Sequence, residues 1–167
     1  MTTAYLCDAC GEHHDGIPLG YRLDFADGGY EPDAVRVERD GELIAAGDDR
    51  FILANIELPV AGASTDTFVW TCWMSLSHQS YERIRASWDD PGREHQEPAF
   101  SYVANALPTY EPTTLELKAN VHSRRVGLRP WVELQPTEHA LAVEQREGIR
   151  RDRILALYHI ATKQATS

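Results

Sequence analysis

The chain has 167 residues, 43% of them hydrophobic, with a formal charge of -10 and three cysteines. That length and apolar content suit one domain, spanning 1–167, whose core needs no disulfide staples. Residues 1–98 hold 19 acidic and 7 basic side chains and residues 99–167 hold 7 and 9, a balance that argues against electrostatic binding of nucleic acid. The arginines at 124, 125 and 129 and at 146, 150, 151 and 153 read as solvated faces of strand and helix.

The first residues lack the basic and apolar regions of a signal peptide, and the longest apolar run, 68–74, is too short to cross a bilayer. The expectation is a soluble, cytoplasmic protein whose cysteines stay reduced and are either buried or metal-bound. Cys7-Asp8-Ala9-Cys10-Gly11-Glu12-His13-His14 carries two thiols spaced to grip one tetrahedral ion, followed by a glycine that lets the backbone turn back. Residues 1–16 are therefore expected to form a zinc-knuckle-like turn packed on the body, with Cys7, Cys10 and His14 as ligands. His13 is a weaker choice, and His122 or His139 could complete the set. No second Cys-x-x-Cys follows to close a four-ligand site; a Cys2His2 set that pins the N-terminus would be structural and three ligands plus water catalytic, and the structural zinc is preferred. A redox pair needs a strand-to-helix junction, which Gly11 and the His-His-Asp-Gly turn do not supply.

Alternation of apolar residues predicts strands over 19–25, 35–38, 43–46, 51–60 and 67–76, with hairpin turns at Asp40-Gly41 and at Gly47-Asp48-Asp49. In the 67–76 strand both faces are apolar, which suits a central strand and makes Cys72 a core residue. Ser77 caps a helix over 78–88, stopped by Asp89-Asp90-Pro91-Gly92, and a charged loop containing His95 runs to Pro98. Further strands are expected over 100–104, 114–122 and 130–134, with Leu115, Leu117, Ala119 and Val121 on the buried face. Pro136-Thr137 caps a helix from Glu138 that breaks near Gly148, and a terminal amphipathic helix covers about 150–163. These elements make an α+β domain: a mainly antiparallel sheet of about six to seven strands, one inserted helix and a C-terminal helical pair.

Chemistry concentrates in one patch. Asn120 and His122 project from the polar face of their strand, and Arg129 and Gln145 are candidate ligand-binding groups. His139 sits in the first turn of its helix, where the positive dipole end favours a neutral, coordinating ring. If His122 and His139 converge, Glu144 could act as a general base on a bound water. Two functions follow: a zinc-stabilised binding or adaptor module for a partner protein or small molecule, or, as the alternative, a metal-dependent, hydrolase-like enzyme using His122, His139 and Glu144.

The residues Cys7-x-x-Cys10-Gly11-x-x-His14, Phe68-Val69-Trp70, Trp73-x-Ser75-Leu76-Ser77, Trp88-Asp89-Asp90-Pro91 and Asn120-Val121-His122 recur together with a longer run. That run is Gly127-x-Arg129-Pro130-x-x-x-Leu134-x-Pro136-Thr137-x-His139-x-Leu141-Ala142-x-Glu144-Gln145-x-x-Gly148-Ile149. Together they resemble the bacterial domain-of-unknown-function family numbered 2199. The resemblance covers nearly the whole chain and implies no activity. Gln135, Glu138 and Ala140 depart from the family pattern, and the loss of an acid at 135 favours a binding or structural role over a catalytic one.

Overall fold

The computed structural model describes residues 4–6, 13–15, 20–27, 30–62 and 65–165, with side chains described over 20–160 of these. Its centre is a long hairpin. Strands β6 (Asp49–Pro59) and β7 (Thr67–Leu76) pair in unbroken antiparallel register from Arg50↔Leu76 to Pro59↔Thr67. Because side chains alternate along a strand, Ile52, Ala54, Ile56 and Leu58 face the same side as Phe68, Trp70, Cys72 and Met74, and all eight are buried in one cluster. Phe51, Leu53 and Trp73 point the other way into a second, smaller cluster. Both faces of β7 are therefore covered as its composition requires, and Cys72 is a core residue whose thiol burial pushes up to about 12.

Strands β8 (Ala99–Val103), β9 (Lys118–His122) and β10 (Trp131–Leu134) continue from β7 as an antiparallel meander. β10 then meets β6 in parallel at Trp131↔Asn55, with Asn55 N–H donating to the Pro130 carbonyl at 2.9 Å, and so closes a five-stranded barrel β6-β7-β8-β9-β10. Three strands extend it. β3 (Gly20–Arg22) lies parallel beside β7, while β4 (Val35–Glu38) and β5 (Leu43–Ala46) form a hairpin on β6. A separate antiparallel pair, β1 (Ala4–Leu6) and β2 (His13–Asp15), precedes them.

The α+β class and the mainly antiparallel sheet stand, but the sheet holds eight strands rather than six or seven, with the β1–β2 pair in addition. The eight strands fall on the eight segments that alternation marks, and among the described strands only the three-residue β1 and β2 lie outside them. The strand expected over 114–122 begins only at Lys118, because Glu116 takes φ 68 and breaks the extended run. Leu115 is consequently exposed, whereas Ala119 and Val121 are buried as expected.

Helix α1 (His78–Ala86) starts where Ser77 Oγ accepts the Ser80 N–H at 3.1 Å, and its Tyr81 and Ile84 enter the main cluster. Helix α2 (Ala140–Glu147) is capped by His139 rather than by Thr137, and helix α3 (Arg151–Ala165) buries Ile154 and Leu157. Gly148 separates the two helices at φ 107, where a Cβ would stand 3.1 Å from the Pro59 carbonyl oxygen. Only a residue without one lets Ile149 reach the end of β6, where its N–H donates to Pro59 at 2.8 Å. No described helix is long and apolar enough to cross a membrane.

The loop over 92–98 is not simply solvated, as its charge suggests. Arg93 is 7% exposed and its guanidinium donates to the carbonyls of Trp88, Arg124, Arg125 and Leu128 at 2.6–3.2 Å, over the Trp88 ring.

Candidate functional site

Barrel closure turns half of β8, β9 and β10 outward. The register sets these outward side chains in cross-strand rows: Tyr102 opposite Lys118, Phe100 opposite Asn120 and then Glu133, and His122 opposite Trp131. His122 stacks on the Trp131 indole, ring centroids 4.2 Å apart and 10° from parallel, and its Nε2 lies 3.1 Å from Glu133 Oε1. Phe100 and Tyr102 meet edge to face at 5.1 Å while remaining 53% and 39% exposed. Grooves of about 440 and 470 Å³ lie along this face, the first lined by Phe100, Lys118, Asn120 and Glu133, the second by Trp131, Glu133, Gln145 and Arg146.

The patch read from the sequence divides here. Asn120 and His122 share the outer face, as their alternation implied. Gln145 borders it, but its amide is spent on the backbone of β10, where Oε1 accepts the Leu134 N–H at 2.9 Å and Nε2 donates to the Val132 carbonyl at 2.7 Å. It supplies β10 with the donor and acceptor that a neighbouring strand would. Arg129 is held by Glu42, Nε to Oε1 at 2.9 Å.

His139 and Glu144 belong to another cluster and share no partner with His122. His139 Nδ1 accepts the Leu141 N–H at 3.1 Å, which places the ring proton on Nε2, 2.8 Å from the Pro112 carbonyl. Both nitrogens are thus engaged within the protein. Glu144 pairs with Arg153, Oε1 to Nη2 at 3.1 Å, while Arg153 also donates to Thr109 Oγ1 at 2.8 Å and lies over the Tyr110 ring. Tyr110 OH accepts from Trp70 Nε1 at 3.2 Å, and burial, followed by the charge and hydrogen bond of Glu144, pushes its hydroxyl well above the usual tyrosine range. The carboxylate, through Arg153, ties α2 and α3 to the barrel.

Cys7 and Cys10 lie outside the described residues, as does the His14 side chain, although the His14 backbone pairs with Tyr5 in the β1–β2 hairpin. Among the described residues no three His, Cys, Asp or Glu side chains stand close enough together to hold a metal ion.

Sequence reasoning missed Phe100, Tyr102 and Ser75. The only signal was the alternation in 99–103, which separates Phe100 and Tyr102 from Ala99, Ser101 and Val103. Which of the two sets faced the core was set by register. Beside Tyr102 a further trough opens over Ser75, rimmed by Asp27, Asp49 and Glu116. Tyr30 OH donates to Asp49 Oδ2 there at 2.7 Å, and burial together with that hydrogen bond and charge pushes the phenol up to about 12.

The molecule is thus an α+β protein built on a five-stranded barrel, with an open aromatic and polar face on β8, β9 and β10. Residues 6–149 match the family described as "Uncharacterized protein conserved in bacteria (DUF2199)", and the chain belongs to it. No curated protein and no solved structure matches the chain.

Proposed function

We propose that this protein is a binding or adaptor module that engages a partner protein through the outer face of β8, β9 and β10. The observation that carries this reading is the exposed Phe100–Tyr102 pair. Fully burying such a side chain is worth about 1.5–3 kcal/mol, and with the two rings 53% and 39% exposed roughly half of that remains to be gained at each position. Adjacent exposed aromatics, flanked by hydrogen-bonding groups such as Asn120, His122 and Glu133, have the make-up of an interface anchor with a polar rim.

Co-purification from the native bacterium tests it, using tagged wild type, Phe100→Glu and Val37→Glu. Val37 is 58% exposed on the far edge strand β4 and serves as the control. A protein retained by wild type and Val37→Glu, and lost with Phe100→Glu at unchanged melting temperature, is the expected result. Equal retention by all three would remove the surface from consideration.

The same reading assigns zinc a stabilising role at Cys7, Cys10 and His14. Support comes from the antiparallel pairing of Leu6 with His13, which brings together the chain on either side of the Cys-x-x-Cys and next to His14, and from the two-residue spacing of the thiols. A cytoplasmic setting would keep both thiols reduced. His139 could serve as a fourth ligand only by giving up a hydrogen bond to Leu141 or Pro112. Near one zinc per chain in protein purified without chelator is expected, lost with Cys10→Ser and His14→Ala and kept with His139→Ala. Protein containing no metal in any of these forms would end the zinc assignment.

A further inference from the structure

The trough beside Tyr102 exists because of one small residue. Phe51, Ser75, Tyr102 and Lys118 form a continuous cross-strand row on the outer face. Ser75 is the short member between two aromatic ones. The gap above it, closed at one end by Tyr30, measures about 430 Å³. Its floor is rigid: Ser75 Oγ donates to the Tyr102 carbonyl at 3.3 Å, and Phe51, Tyr30, Phe25 and Trp73 lock together through edge-to-face contacts at 5.6–6.0 Å.

Three carboxylates stand around this aromatic trough, and none of the described residues lining it is basic. Asp49 accepts from Tyr30 and Asp27 from the Ala106 N–H at 2.6 Å. None of the three takes part in an ion pair among the described residues, whereas Glu38, Glu42, Glu57 and Glu144 each hold an arginine. The neighbouring cations are directed elsewhere. Arg50 donates to the Gly47 and Asp49 carbonyls and lies over the Tyr81 ring, and Lys118 follows Tyr102 in the row and lines the next groove.

A cavity with aromatic walls and uncompensated negative charge at its rim complements a flat cation. Aromatic faces attract a guanidinium through their quadrupole, and carboxylates accept its planar fork of donors. An ammonium matches the charge but not the plane. We propose that the trough over Ser75 receives an arginine side chain of the partner protein, seated between Tyr30 and Tyr102 with its charge met by Asp49 and Glu116. This inference rests on the protein-binding reading of the adjacent face and gives that partner its chemistry: a basic segment lying across the Phe100–Tyr102 ridge.

The test uses N-acetyl-arginine amide as the probe, titrated into the full-length protein and followed by two-dimensional NMR. Saturable shifts centred on Ser75, Tyr102 and Glu116 are expected. The neutral isostere N-acetyl-citrulline amide should produce none there, and N-acetyl-lysine amide should bind more weakly. Combining Asp49→Asn with Glu116→Gln, both exposed, should weaken binding about tenfold. Ser75→Leu fills the trough with every charge kept, and should abolish binding. Asp89→Asn with Asp90→Asn, away from the trough, should change nothing. Shifts spread over the acidic surface and indifferent to Ser75→Leu would overturn the proposal, as would equal binding of the lysine or citrulline probe, or no arginine binding at all. If the partner is lost with Phe100→Glu while the arginine probe fails to bind, this inference alone falls. If the probe binds as expected but the partner survives Phe100→Glu, the interface reading falls instead.

Discussion

Arg93→Met should lower stability by about 3 kcal/mol or more, a drop of roughly 6–12 °C in melting temperature for a chain of this size. The guanidinium is buried and all its hydrogen bonds end on backbone carbonyls: Nε on Arg124, Nη1 on Trp88, and Nη2 on Arg125 and Leu128. Methionine preserves much of the packing on Trp88 but leaves the Trp88, Arg124 and Leu128 carbonyls without their donor, while Arg125 keeps the Leu128 N–H at 3.0 Å. An unsatisfied buried polar group costs about 1–3 kcal/mol, and partial solvation of the loop keeps the total below the sum. Arg93→Lys retains the charge without the planar fork, so it should recover only part of the loss. Urea unfolding of the three proteins measures this. An Arg93→Met variant within about half a kcal/mol of wild type, the usual range of a surface substitution, would show that water satisfies these carbonyls and that the loop is not organised by Arg93.

Glu144→Ala should cost about 2–3 kcal/mol, while Glu147→Ala, exposed on the same helix, should cost less than about 0.5 kcal/mol. Glu144 and Arg153 are mostly buried, with 13% and 25% of their side chains exposed, so removing the carboxylate leaves the guanidinium, among the described residues, with Thr109 and the Tyr110 ring. Breaking one side of a buried pair is expensive because the other charge remains, and the partial exposure of Arg153 moderates that penalty. The Tyr110 hydroxyl is affected too. With the negative charge removed, its ionisation should move down toward the ordinary tyrosine range, which a spectrophotometric titration can follow. This variant also separates two roles for Glu144. Thermal unfolding unchanged from wild type would free the carboxylate for chemistry and revive the hydrolase-like alternative.

Much of the fold is local and was readable as such. Ser77 caps α1 because its hydroxyl needs only the amide three residues ahead. Asp40-Gly41 joins β4 to β5 because both residues accept positive φ, at 59 and 84. The two apolar faces of 67–76 required a strand covered on both sides, and β7 is one. The candidate site was legible only in part. Asn120 and His122 were placed on one outward face by alternation alone, and they are there. His139, Glu144 and Arg129 were grouped with them by chemical type, which carries no information about position. His139 and Arg129 have partners distant in sequence, Pro112 and Glu42, and Glu144 is taken by Arg153 of the next helix.

By itself, the sequence determined the α+β class, the hairpins, the Ser77 cap of α1, the burial of Cys72 and the acidic balance, all of which depend on neighbours within a few positions. Tertiary structure alone decided that β10 returns to β6 and closes a barrel, that Gln145 completes the bonding of β10 beyond its single pairing with β6, and that Arg93 gathers four carbonyls. It also decided that Phe51, Ser75 and Tyr102 line up to leave a trough. The reason is register: a one-residue slip of any strand would exchange its inner and outer faces, and no local pattern specifies which residue of a distant strand lies opposite Ser75.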